Sequence, residues 1–170
     1  MNMTLKEKTF SDVAQLLRRN NINVEKIDQD RPWGGFFVLA EKDASKFISF
    51  FFPELPESSL NGGKLSPKIL LVEPGRKLSW QYHHRRAEIW RLIDGAAAVI
   101  RSDDDFEKEL YKLSPGETIE LRMGERHRLV GLNEWGIVAE IWMHTDPENP
   151  SDENDIVRLQ DDFGRRTPLS

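Results

Sequence analysis

Four residues of this chain have the types and spacing of a divalent-metal site. Gln81 and His83 stand two apart in the run GRKLSWQYHHRRAEIWRLIDG, Gly75 to Gly95. On a strand, residues two apart share a face. Glu88 follows after a gap long enough for a turn before the next strand. A nitrogen or oxygen pair from one strand with a carboxylate from the next makes a three-point metal site. The fourth ligand comes from GETIELRMGERHRLVG, Gly116 to Gly131, where His127 sits just after Gly124 and opens an apolar, strand-like run. Taken singly, a strand histidine is more often a hydrogen-bonded core residue than a ligand; four residues at this spacing argue for a metal. His84 falls on the opposite face of the strand from His83. His144 lies outside both stretches and reads as a surface residue. The chain has no cysteine, which excludes a thiolate site, a disulfide framework and a cysteine nucleophile.

Both stretches resemble the two signature motifs of the cupin superfamily. The first runs Gly75, five residues, Gln81-x-His83, four residues, Glu88, six residues, Gly95, with Gln81 in place of a histidine. The second runs Gly116, five residues, Arg122-x-Gly124, two residues, His127, three residues, Gly131, with a proline and an asparagine replaced. A Gln, His, Glu, His set is the zinc set of mannose-6-phosphate isomerases. RPWGGFFVL, PKILLVEPGRKLSWQYHHRRAEIWRLIDGAA, GERHRL and SDENDIVRLQDDFGR resemble, in order, motifs of the type II mannose-6-phosphate isomerase domain. The resemblance covers residues 31–39 and 68–165.

That resemblance implies an all-β cupin double-stranded β-helix, a jelly-roll barrel with a few short peripheral helices. It implies a divalent metal on Gln81, His83, Glu88 and His127: Zn2+ first, with Mn, Ni or Fe as alternatives. The implied reaction is aldose–ketose isomerisation, mannose-6-phosphate to fructose-6-phosphate, through a metal-stabilised enediolate. Lys68 and Arg158 align with family lysine and arginine positions and are the expected substrate contacts. Arg128 also aligns, but follows His127 directly and is expected on the other side of its strand. The base is unassigned, with Asp155 and Glu140 as candidates. The family's third consecutive histidine is Arg85 here, which adds positive charge beside the site. The histidine after the glutamate is Ile89, a loss of polarity that points to a shifted specificity. The alternative reading is a non-catalytic cupin that binds a sugar or sugar phosphate. A cupin oxygenase would need redox-active iron with open positions, which the neutral Gln81 ligand makes less attractive. No counterpart of the nucleotidyltransferase domain often fused to this domain is expected. A homodimer is expected.

The elements that must hold these residues read as short strands between turn signals from Lys68 onward. Ile69–Glu73, Leu78–His83, Glu88–Ile93, Ala96–Ile100, Glu109–Leu113, Thr118–Leu121, Arg128–Leu132 and Ile137–Met143 fit strands, with Asp94-Gly95 ending one of them. Asp103–Asp105 reads as a solvated turn. Residues 1–30 read as a polar N-terminal helical extension, capped by Thr9 or Ser11, with Phe10, Val13, Leu16 and Leu17 as its apolar face and Asn20-Asn21 as its end. Trp33 is expected at the barrel mouth. Residues 40–66 read as an inserted helix and loop: Asp43 caps a helix through Phe52, with Phe47, Phe50 and Phe51 on one face, and Pro53 stops it. Lid, dimer contact and simple packing all suit this insertion. The tail after Pro147 is partly ordered, and its last residues are expected to fray.

With 170 residues, 38% apolar and 31% charged, the chain suits one domain, 1–170, with a sizeable core. A net charge of −5 speaks against a general nucleic-acid surface. No stretch has the apolar core of a signal peptide or the length of a membrane span, so the expected compartment is the cytoplasm and the expected partner a small sugar phosphate.

Overall fold

The computed structural model describes residues 2–60 and 62–168. Asn61 in the inserted loop and the last two residues, where fraying was expected, lie outside the described residues.

Helix α1 spans Leu5–Arg19 and begins earlier than either expected cap. Thr4 caps it, in a T-x-x-E box: the Thr4 hydroxyl accepts from Glu7 N at 3.1 Å, and the Glu7 carboxylate accepts from Thr4 N at 3.0 Å. That reciprocal pair satisfies two orphan donors at once. Thr9 lies inside the helix and donates back to the Leu5 carbonyl at 2.7 Å. Phe10, Val13 and Leu17 are buried, and the helix ends at Asn20, with Asn21 at φ 55°. The extension is not helical to residue 30. The chain returns as strand β1 (Val24–Arg31), antiparallel to β2 (Gly34–Leu39). β1 is an edge strand, largely exposed, so its sequence lacks the alternation that betrays a half-buried strand. A Cβ on Gly35 would stand 2.6 Å from the Phe10 ring, so glycine lets α1 rest on β2.

Seven more strands follow: β3 (Lys68–Val72), β4 (Trp80–Tyr82), β5 (Arg86–Ser102), β6 (Leu110–Lys112), β7 (Thr118–Leu121), β8 (Arg126–His144) and β9 (Val157–Gln160). The order is β1-β2-β3-β8-β4-β9, and β5 pairs with β6, β7 and β8. Two pairs of expected strands are therefore single long strands. β5 does not end at Asp94-Gly95; it runs on through two register shifts, between Leu92 and Asp94 and between Gly95 and Ala97. Gly95 sits at φ 73°, and a Cβ there would lie 1.8 Å from the Trp135 carbonyl oxygen. The turn-forming residue thus bends a continuous ribbon instead of breaking it. One half of β8 pairs with β3 through Gly136–Glu140, the other meets β4 at His127. The result is a curled jelly-roll sheet.

Alternation along β3 divides the core. Ile69 and Leu71 face outward to a cluster with Phe10, Leu17, Phe47, Phe51 and Phe52. Leu70 and Val72 face into the curl with Trp33, Phe36, Trp90 and Val138. Helix α2 (Ala44–Phe51) belongs to the outer cluster. Asp43 stands at its N-cap position without capping it; the carboxylate accepts from Asn23 N and Nδ2, both at 2.9 Å. Phe50 departs from its expected face and is 44% exposed. Ahead of α2, Glu41 accepts from Leu65 N and Ser66 N at 2.9 and 2.8 Å, and Trp142 N donates to the Leu65 carbonyl at 2.8 Å. Phe47, Phe51, Phe52, Leu55 and Leu60 pack the segment 40–66 on the outside of the sheet. Among the described residues, no helix is long and apolar enough to cross a membrane.

Candidate metal centre and substrate pocket

The register of three strands brings the motif residues together. Gln81 on β4 stands opposite His127 on β8, so their side chains share a face. Gly124 N donates to the His83 carbonyl at 3.0 Å, tying the second motif to the first. Glu88 enters from the first half of β5. Ligand atoms of His83, Glu88 and His127 all lie within 4.8 Å of one another, and all three residues are buried. His83 Nε2 is 3.4 Å from Glu88 Oε2, and His127 Nε2 is 3.1 Å from Glu88 Oε1.

The second nitrogen of each imidazole fixes its tautomer. His83 Nδ1 lies 2.7 Å from the Asp155 carbonyl, and His127 Nδ1 lies 3.0 Å from the Glu125 carbonyl. A carbonyl only accepts, so each Nδ1 carries a proton and each Nε2 is turned toward Glu88. This is the outer-shell arrangement of metal-ligating histidines. Burial and then the Arg86 charge hold His83 down to about 3, so it is neutral at physiological pH. Burial pushes the Glu88 carboxyl up, but Arg86, His83 and His127 outweigh it and hold it well below the usual carboxylate range. Glu88 Oε1 and His127 Nε2 have no hydrogen-bond partner despite full burial. Gln81 Oε1 accepts from Ser79 Oγ at 2.5 Å and keeps a second lone pair. Two imidazole nitrogens turned inward, an ionised carboxylate, an amide oxygen and two orphaned buried atoms fit a divalent cation.

In front of this cluster lies a cavity of about 230 Å³, lined among others by Gln81, Glu88, Lys68, Glu140 and Arg158. Trp33 lines it, as expected of the mouth. Lys68 is buried, with Nζ 4.6 Å from the Phe36 ring centroid and 4.8 Å from that of Trp142, and pairs with Glu153. Arg158 Nη1 donates to the Arg166 carbonyl at 2.6 Å, while its Nε has no partner. Burial, and then Arg165, push the Arg158 pKa down, and Arg31 adds to this. Three guanidinium groups thus crowd one side of the cavity. Glu140 is buried between two indoles: Trp90 Nε1 donates to Oε2 and Trp142 Nε1 to Oε1, each at 2.8 Å. Burial first, and the Glu88 charge second, raise Glu140 to about 7.

Several expectations change. Arg85 is turned away from the cavity, toward Asp152 at 3.4 Å. Its neighbour Arg86 is the charged residue at the site, and two-residue spacing to Glu88 on one strand was the signal for it. Ile89 points into the outer core, so it removes no polar group from the pocket. His144 is buried, not a surface residue: Nδ1 accepts from Ser151 N at 2.9 Å and Nε2 lies 3.0 Å from Ser66 Oγ. Asp155 accepts from His84 N, Arg85 N and Ser151 Oγ, which fixes it as a loop brace. Arg128 faces away from the cavity, as expected, and donates to the Leu78 carbonyl and to Glu107. His84 is exposed.

The family described as mannose-6-phosphate isomerase C-terminal matches residues 57–161. The xanthan biosynthesis protein XanB of Xanthomonas campestris is 34% identical over 104 residues, 61% of this chain and 21% of that protein. The alginate biosynthesis protein AlgA of Pseudomonas putida is 27% identical over 163 residues, 95% of this chain and 27% of that protein. The chain therefore spans only about a quarter or less of these relatives' lengths. Among solved structures, procruciferin of Brassica napus superposes with a TM-score of 0.52 at 14% identity, over 81% of this chain and 29% of that one. CapF of Staphylococcus aureus, a capsular polysaccharide assembling protein, gives 0.50 at 15%, over 82% and 32%. At such identity these two show the fold alone, the all-β cupin jelly roll. With the family match covering more than half of its length, the chain belongs to the mannose-6-phosphate isomerase C-terminal family.

Proposed function

We propose that this chain isomerises a sugar phosphate, with mannose-6-phosphate and fructose-6-phosphate as the substrate pair. One observation carries the reading: His83, Glu88 and His127 converge, with two unpartnered ligand atoms, behind a cavity flanked by Lys68 and Arg158. A divalent ion held by Gln81, His83, Glu88 and His127 supplies Lewis-acid polarisation of the sugar carbonyl; zinc is the first choice, with manganese, nickel and iron able to use the same donors.

The chain's own groups do the rest. Lys68 and Arg158 hold the phosphate, the first as a point charge and the second as a planar fork. Arg31 and Arg165 strengthen the positive field there. Glu140 is the base. It takes the proton from C2 of the aldose and delivers it to C1 of the resulting enediol, while the O2 hydroxyl proton passes to O1, giving the ketose. A carboxyl raised to about 7 exchanges protons readily at neutral pH, and the Trp90 and Trp142 indoles fix its plane.

The test is direct. Zinc-loaded protein should interconvert the two sugar phosphates in a coupled assay, and His127→Ala should abolish turnover. Loaded wild-type protein that converts no aldose phosphate would end the isomerase reading. A second reading, a cupin that binds a sugar phosphate without turnover, is favoured by the hold of Arg86 on two of the ligand residues. It predicts thermal stabilisation by mannose-6-phosphate with no product. A homodimer and a cytoplasmic compartment complete the proposal, to be tested by size-exclusion chromatography and cell fractionation.

A further inference from the structure

Arg86 is buried, and its guanidinium is held on every side. Nε donates to Glu88 Oε2 at 2.9 Å. Nη1 donates to Ser151 Oγ at 2.9 Å and to the Asp152 carbonyl at 3.1 Å. The guanidinium carbon lies 3.6 Å from the Trp142 ring centroid. Nη2 is 3.2 Å from His83 Nε2. Because His83 Nδ1 donates to Asp155, Nε2 has only its lone pair, and Nη2 donates into it. Arg86 therefore occupies one imidazole lone pair and one carboxylate oxygen of the four-residue set. A guanidinium and a metal cannot share a nitrogen lone pair. Charge points the same way. Glu88 and Arg86 balance each other, and a dication added beside a fixed Arg86 leaves uncompensated positive charge in a dry site.

We propose that Arg86 and the divalent ion compete for His83 and Glu88, so that Arg86 sets the metal affinity of the site and must release His83 before the full ligand set can form. This rests on the metal-dependent reading above. Arg86 also lines the cavity, so a released guanidinium turns toward the sugar phosphate.

The experiment is calorimetric titration of Zn2+ into wild-type protein and Arg86→Gln, with circular dichroism as the folding control. Competition predicts that Arg86→Gln binds Zn2+ at least about tenfold more tightly; a residue that merely supports Glu88 would, when lost, weaken binding by about 10–100-fold. Equal or weaker binding in a folded variant overturns the proposal. Should Arg86→Gln fail to fold, Arg86→Lys keeps the charge but loses the fork that reaches both His83 and Glu88, and should shift affinity in the same direction. In wild-type protein, the Arg86 Nε–H nuclear magnetic resonance must move on adding stoichiometric Zn2+; an unmoved resonance also overturns the proposal. Zn2+ uptake by neither protein defeats the metal-dependent reading itself, whereas uptake by wild type without tighter binding in the variants defeats only the competition.

Discussion

His127 Nε2 lies 3.1 Å from Glu88 Oε1, yet the two do not have the alignment of a hydrogen bond, and neither atom has another partner. His127 Nδ1 donates to the Glu125 carbonyl, which turns Nε2 toward Glu88. Two buried polar atoms thus face each other without a hydrogen bond, which costs free energy unless a cation joins them. Purified protein should carry about one divalent ion per chain. His127→Ala should lose it, and Gln81→Ala, missing a weaker amide ligand, should bind it about 10–100-fold less tightly. His84→Ala, an exposed residue just beyond β4, should keep it. Elemental analysis of the four proteins checks this. Retention of metal by His127→Ala would remove the site.

The Arg86–Glu88 pair makes a separate prediction about stability. Both side chains are nearly inaccessible, at 7% and 3%. Removing one member of a buried pair leaves the other uncompensated, typically at a cost of about 3–5 kcal/mol. Glu88→Ala should therefore be destabilised by that order in urea unfolding of chelator-treated protein. Glu125→Ala is the comparison, because its partner Arg101 is 35% exposed and solvent screens what is lost. A loss at Glu88 no larger than at Glu125 would mean that water reaches the site.

How much of this was legible beforehand depended on period. Gln81 and His83 share a face because strand side chains alternate, and that needs no tertiary information. The same rule pairs Arg86 with Glu88, but the eye goes to Arg85, the residue that replaces a family histidine. Ile89 misleads for the same reason: one position along a strand is the opposite face, here the outer core. Gly95 read as a terminator because local sequence cannot distinguish a turn from a bulge; the long pairing of β5 with β8 decides it. β1 was invisible because an exposed edge strand lacks apolar alternation. His144 is buried by chain that arrives from far away, Ser66 before it and Ser151 after it.

Lys68 and Arg158 should affect phosphate recognition more than turnover. Hydrogen bonds to charged groups contribute about 1.5–3 kcal/mol, so Lys68→Met or Arg158→Met should raise KM for mannose-6-phosphate by about ten- to a hundredfold. Metal content should not change. Arg158→Lys should recover little, because an ammonium lacks the planar fork. Steady-state kinetics against inorganic phosphate as competitor distinguishes the two roles. A fall in kcat at unchanged KM would move these residues from binding to chemistry.

Glu140 carries the pH dependence. Its folded pKa, about 7, stands above the ordinary 4.5, so folding favours its protonated form. The stability it contributes is complete below 4.5 and is lost as pH rises through about 7. Glu88 has the opposite sign: its folded pKa lies well below 4.5, so its contribution is present above that value and lost as pH falls. His83, held down to about 3 from 6.5, is destabilising wherever the unfolded imidazole is protonated, so stability also falls as pH drops below about 6.5 and offsets the Glu140 slope in mildly acid solution. Urea melts should therefore show an acid-side fall and, approaching neutrality, a Glu140-dependent fall. Glu140→Gln should flatten the fall on the alkaline side and leave the acid side in place. Activity should run the other way on that side. A base must be ionised, so kcat/KM should rise through the Glu140 titration just as stability declines, and Glu140→Gln should lower kcat by about 10²–10⁴. A stability profile with an alkaline fall that survives Glu140→Gln would assign that titration to another group. A variant with undiminished kcat would take the base role from Glu140.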